Sequence, residues 1–122
     1  HPTLEARRVY QAVREAQQAA TDAVQAGRTV GEIDGVARKS LEKNKLGKYF
    51  SHSTGHGVGL EIHEAPHLAA GQKEVLRPGM VITIEPGVYL AGKFGVRIED
   101  MVVVNERGCE VLTSASKDLI AL

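Results

Sequence analysis

The sequence has a single cysteine, Cys109, which can form no internal disulfide and excludes a fold stapled by such bridges. It has no excess of either charge, with 15 basic and 15 acidic residues, and no run of lysine or arginine. That balance argues against nucleic acid or an anionic membrane surface as the main partner and leaves a small molecule or peptide. No apolar run approaches membrane-spanning length and none has the layout of a signal peptide. These absences together read as a cytoplasmic protein with a reduced thiol. There is also no internal repeat and no low-complexity linker. The 122 residues, 43% of them hydrophobic, therefore read as one globular domain or part of one, long enough for a core.

Histidine is scarce as well, with five in the chain, yet His52, His56 and His63 fall within twelve positions of one another. Glycines separate them in Ser51-His52-Ser53-Thr54-Gly55-His56-Gly57-Val58-Gly59-Leu60-Glu61-Ile62-His63-Glu64 and let the backbone run close to whatever the imidazoles hold. Imidazole is the commonest protein metal ligand and the side chain that titrates nearest neutrality. The cluster therefore points to a metal site, acid–base chemistry, or both.

The first third of the chain is patterned for helices. Val9, Val13, Ala16, Ala20 and Val24 form one stripe of a helix over Thr3 to Gly27, with Gly27 as its stop. Thr29-Val30-Gly31-Glu32 matches a capping box and opens a second helix with Ile33, Val36, Ala37 and Leu41 inward. Asp22 and Asp34 fall in these helices, where solvent exposure is the ordinary fate of a carboxylate. Beyond Gly47 the pattern becomes extended. Pro66 to Gln72 reads as an irregular loop, Leu76-Arg77-Pro78-Gly79 as a turn, and Met80 to Glu85 as a buried strand stopped at Pro86-Gly87. Gly95 to Val104 reads as one strand, Asn105 to Gly108 as a turn, and Cys109 to Thr113 as the hairpin partner. Helices followed by strands give an α+β arrangement, two helices packed on a largely antiparallel sheet.

Alternation along the strands sorts the acids. Arg97, Glu99 and Met101 share one face, and Asp100 lies on the other with Val102 and Val104. An ionised glutamate in an apolar strand requires a partner, so Glu85 and Glu99 each demand one; for Glu99 the simplest is Arg97. Two such glutamates beside a histidine cluster are better explained by a shared metal site, whose oxygen-rich donor set suits manganese, cobalt, iron or zinc.

His52-x-x-x-His56-Gly57-x-Gly59-Leu60-x-x-His63-Glu64, followed by Ile84-Glu85-Pro86-Gly87 and Val96-Arg97-Ile98-Glu99-Asp100, resembles the C-terminal part of the pita-bread metallopeptidases. Within that group the sequence is most similar to Xaa-Pro aminopeptidases and Xaa-Pro dipeptidases, the prolidases. The resemblance implies that His56 and Glu85 bind one metal ion and that Glu99 bridges it to a second. It further implies that His52 and His63 contact substrate and stabilise the tetrahedral intermediate, with Arg97 in support. The implied cofactor is a divalent ion, Mn2+ first, with Co2+ or Zn2+ as alternatives, and the implied partner is a proline-containing peptide or dipeptide.

Other polar residues receive plainer readings: Tyr89 as packing, Glu64 as a loop-fixing residue, and Asp100 as the acceptor of a local hydrogen bond. Members of the resembled family supply two further aspartate ligands from strands preceding the first helix, and residues 1–122 start after them. Asp22, Asp34 and Asp118 are not their equivalents. The expectation is the C-terminal portion of a catalytic domain that holds at most one ion and is inactive or poorly active alone. Such a chain is expected to self-associate as a homo-oligomer through exposed sheet edges. The alternative is a non-catalytic pita-bread module that binds peptide or protein.

Overall fold

Two helices form as the stripe predicts, and the second carries more than scaffold. The computed structural model describes residues 3–58 and 66–113. Helix α1 spans Leu4–Ala23, started by Thr3, whose side chain accepts from the Ala6 N–H. Its buried stripe contains Val9, Val13, Ala16 and Ala20, all fully excluded from solvent. The small side chains let α2, Val30–Lys43, pack closely against it. The capping box forms as expected, Glu32 N donating to Thr29 Oγ1 at 3.2 Å and Thr29 N to Glu32 Oε1 at 3.4 Å.

Two readings of the helical region need correction. Gly27 does not stop α1, which ends at Ala23 with Val24 already extended; Gly27, at φ 96°, lies in the following turn and donates to the Leu76 carbonyl at 2.9 Å. Asp34 is not solvated but fully buried, while Asp22 is exposed and accepts from Gln18 at 2.8 Å. Ile33, Ala37 and Leu41 are buried as expected, and Val36 is half-buried.

A short 3-10 turn, Gly47–Tyr49, leads into the extended half. Strands β1 (Gly55–His56) and β2 (His67–Leu68) pair antiparallel, so the stretch read as an irregular loop contributes a strand. Strands β3 (Val81–Ile84), β4 (Gly87–Leu90), β5 (Phe94–Arg97), β6 (Asp100–Asn105) and β7 (Gly108–Val111) follow. All pairings are antiparallel: β3 with β6, β6 with β7, and β4 with β5.

The strand expected over Gly95 to Val104 is two strands, while the stop expected at Pro86-Gly87 falls where β3 ends and β4 begins. Pro86 has no N–H and breaks the ladder. Pairing nevertheless resumes in the same register, from Ile84 opposite Asp100 to Gly87 opposite Arg97. The Ile98 N–H bonds the Pro86 carbonyl at 3.3 Å inside the gap. β3–β4 and β5–β6 thus form one long ribbon, interrupted where Glu85 and Glu99 face each other across it. Helix α1 lies on this ribbon, and Ile82, Ile84, Val88, Val102 and Val104 complete the core beneath it.

Candidate metal centre

β1 carries the central histidine against β3 at a distance only glycine permits. A Cβ at Gly55 would overlap the Thr83 carbonyl, so any side chain would push the strands apart. With Gly55 in place, His56 N donates to Thr83 Oγ1 at 3.1 Å and Glu85 N donates to the Thr54 carbonyl at 2.6 Å. The loop and the end of β3 are thereby locked together, His56 on one and Glu85 on the other.

The tautomer of His56 follows from its neighbour. Nδ1 lies 2.8 Å from the Gly57 carbonyl, which can only accept, so Nδ1 carries the hydrogen. In the neutral ring Nε2 then presents a lone pair, and it faces Glu85 Oε2 at 3.6 Å. That separation exceeds a hydrogen bond. Two ligand atoms of one tetrahedral ion lie about 3.4 Å apart, given metal bonds near 2.1 Å. The pair therefore fits a shared cation after a movement of a few tenths of an ångström. Arg97, half exposed, approaches the other carboxylate oxygen of Glu85 at 4.0 Å.

His52 stands beside this pair. Its Nδ1 donates to the Ser53 carbonyl at 2.7 Å, and its Nε2 is buried with no hydrogen-bond partner among the described residues. The ring meets Phe50 edge-on at 4.9 Å and Tyr89 at 5.6 Å. A Cβ on Gly87 would come within 3.0 Å of both His52 Nε2 and the Tyr89 hydroxyl and within 3.1 Å of the Arg97 Cβ. His52, Tyr89 and Arg97 thus converge over Gly87. Tyr89, for which the sequence favours packing over lining a pocket, is 41% exposed and stands at this convergence.

Other sequence-selected residues lie elsewhere. Glu99 is exposed, not buried in an apolar face, and forms no ion pair among the described residues. Arg97, its expected partner, turns to Glu85. Among the described residues no three His, Cys, Asp or Glu side chains converge tightly enough to enclose an ion. His63, Glu64 and Asp118 lie outside the described residues. Asp100 is buried and accepts at long range, from Gln17 of α1 at 2.8 Å and from Thr113.

What sequence reading missed is Asp34. Its Oδ2 pairs with Arg38 Nε at 2.6 Å, and its Oδ1 accepts from Thr54 N at 3.2 Å and Thr54 Oγ1 at 2.8 Å. The spacing of Asp34 and Arg38, four apart on a helix, was the available signal.

Two helices on a largely antiparallel sheet, with His56 and Glu85 brought face to face at its edge, define a partial pita-bread fold. The chain belongs to metallopeptidase family M24, whose family model matches residues 1–106. It is 48% identical over 121 residues to the Xaa-Pro dipeptidase of Lactobacillus delbrueckii subsp. lactis, covering 99% of this chain and 33% of that protein. Among solved structures, the Xaa-Pro dipeptidase of Bacillus anthracis superposes with a TM-score of 0.97 at 47% identity, covering 100% of this chain and 34% of the other. The X-Pro aminopeptidase of Thermotoga maritima superposes with a TM-score of 0.93 at 43% identity, covering 97% and 34%. The chain spans about a third of the length of the curated relatives it matches, and it matches their C-terminal part.

Proposed function

We propose that this chain supplies part of the catalytic centre of a dinuclear peptidase that cleaves the bond between an N-terminal residue and proline, in peptides or dipeptides. The observation that carries the reading is the pair His56 Nε2 and Glu85 Oε2, 3.6 Å apart, with the histidine hydrogen committed to Gly57. With the ring neutral, both facing atoms are acceptors, an arrangement suited to a shared cation. In the proposed assignment His56, Glu85 and Glu99 are the metal ligands. Glu99 stands opposite Glu85 on the ribbon, where cross-strand neighbours project to the same side. A divalent ion bound there, Mn2+ first among the candidates, supplies Lewis acidity and water activation.

The remaining residues bind and orient. His52, with Nδ1 held by Ser53, offers Nε2 to substrate: it accepts when neutral and donates only as imidazolium. Stabilisation of a developing oxyanion therefore requires the protonated ring. Arg97, beside Glu85, supplies fixed positive charge, and His63 completes the assigned set. Residues 1–122 are proposed to hold at most one ion, weakly, and to hydrolyse Xaa-Pro peptides poorly or not at all. Self-association belongs to the same reading, supported by exposed Val111 and Leu112 at the outer strand of the sheet. Sedimentation should show a dimer; a monomer at high concentration overturns that part.

The central test is a manganese titration by calorimetry on this chain and its His56→Ala and Glu99→Ala variants. Binding by the parent that is lost in both variants is the expected result. Equal binding in all three removes the assignment.

A further inference from the structure

We propose that Asp34 and Arg38 of α2 are positioning residues for the metal half-site, acting through Thr54 and Phe50 without touching the ion. This inference rests on reading His56 and Glu85 as ligands. Asp34 is fully buried, an unfavourable place for a carboxylate unless every lone pair is used. Both of its oxygens are engaged, Oδ2 by Arg38 and Oδ1 by the backbone and hydroxyl of Thr54.

Arg38 distributes its fork in the opposite direction. Nη1 donates to the Phe50 carbonyl at 3.1 Å and Nη2 to the His52 carbonyl at 2.8 Å, and the guanidinium lies 4.2 Å above the Phe50 ring. The segment from Phe50 to Thr54 is thus pinned at every second residue, at 50, 52 and 54. Three links reach the site from there. The Phe50 and His52 rings meet nearly perpendicular. Thr54 precedes His56 by two residues. The Thr54 carbonyl accepts the Glu85 N–H at 2.6 Å. One ion pair on a scaffold helix, its carboxylate buried and its guanidinium partly so, therefore fixes the spacing between the loop that carries both histidines and the strand end that carries Glu85. A helix needing only to pack would have no use for it, whereas ligands whose own contacts are fixed bind metal more tightly.

The test uses this chain with Thr54→Val, Thr54→Ser and Asp34→Asn, and Leu41→Ala as a control that loosens α2 without touching the network. Two readouts are taken: Mn2+ affinity by calorimetry, and hydrogen exchange of the Glu85 amide in the metal-free protein. Expected are a roughly 10–100-fold loss of Mn2+ affinity and faster Glu85 exchange in Thr54→Val and Asp34→Asn. Thr54→Ser should restore both, and Leu41→Ala should spare affinity. Unchanged affinity and exchange in Thr54→Val, or equal loss in Leu41→Ala, overturns the proposal. If the parent chain binds no Mn2+, the ligand reading falls, and the exchange comparison alone decides whether the link to Glu85 exists.

Discussion

Gly55 limits how close β1 can lie to β3. Because a Cβ there would overlap the Thr83 carbonyl, Gly55→Ala must displace β1 and with it His56. A loss of about 1–3 kcal/mol is expected, the range for overpacking. Denaturant unfolding measures the loss, and an unchanged midpoint would show that β1 moves freely. Cys109 gives a second residue-scale expectation. Burial, and after it the carboxylate of Asp22, raise its thiol pKa above the ordinary value, and the thiol lies 3.6 Å from the Thr21 carbonyl. Alkylation of the folded chain near neutral pH should therefore be slower than that of an unstructured cysteine peptide. Since the folded-state pKa is the raised one, the corresponding stability is complete below the unfolded thiol pKa of about 8.5. It is lost as pH rises through the folded value. Unfolding across that alkaline window should show the loss in the parent and its absence in Cys109→Ala.

At the scale of elements, α1 and β6 are joined by Gln17 and Asp100, both buried. Gln17→Leu removes a donor from a buried carboxylate and should lower stability by about 1–3 kcal/mol, read from thermal unfolding. An unchanged midpoint would show that the Gln17 bond to Asp100 contributes nothing to stability. Most elements were legible because their signals are local: the capping box at Thr29 and Glu32, the apolar stripe from Val9 to Ala20, and the β-branched run into Ile84. The break at Ile98-Glu99 was not legible, since Val96 to Val104 holds no proline or glycine to mark it. Its cause is Pro86, which sits on the opposite strand and meets it only through the register. Asp34 was misread for a similar reason. Composition assigns a helical carboxylate to solvent, whereas half of the partners that bury this one come from Thr54, twenty residues on. The histidine and glutamate motifs were visible as residue types, while their distances depend on the close approach of β1 to β3.

For the whole molecule, metal binding and stability are linked, because an ion that binds only the folded chain stabilises it. At a free Mn2+ concentration tenfold above Kd the gain is about 1.4 kcal/mol, raising the midpoint by roughly 4–8 °C. Glu85→Gln should abolish that rise while leaving the metal-free midpoint within a few degrees. A rise that persists in Glu85→Gln would place the ion elsewhere. Among the described residues no helix is long and apolar enough to cross a membrane.

The uninterrupted register of the long ribbon has one more outcome, for how the chain may be divided. The tip joining β4 to β5, Ala91 to Lys93, is exposed, and Gly92 there has a φ of 76° with open space around it. Glu85 and Glu99 are held opposite each other by ladder bonds on either side of the gap, not by the covalent link at that tip. A chain cleaved at Gly92 should therefore persist as two associated pieces, one bearing Glu85 and the other Glu99. The two pieces should reassemble when mixed, with manganese favouring the joined form.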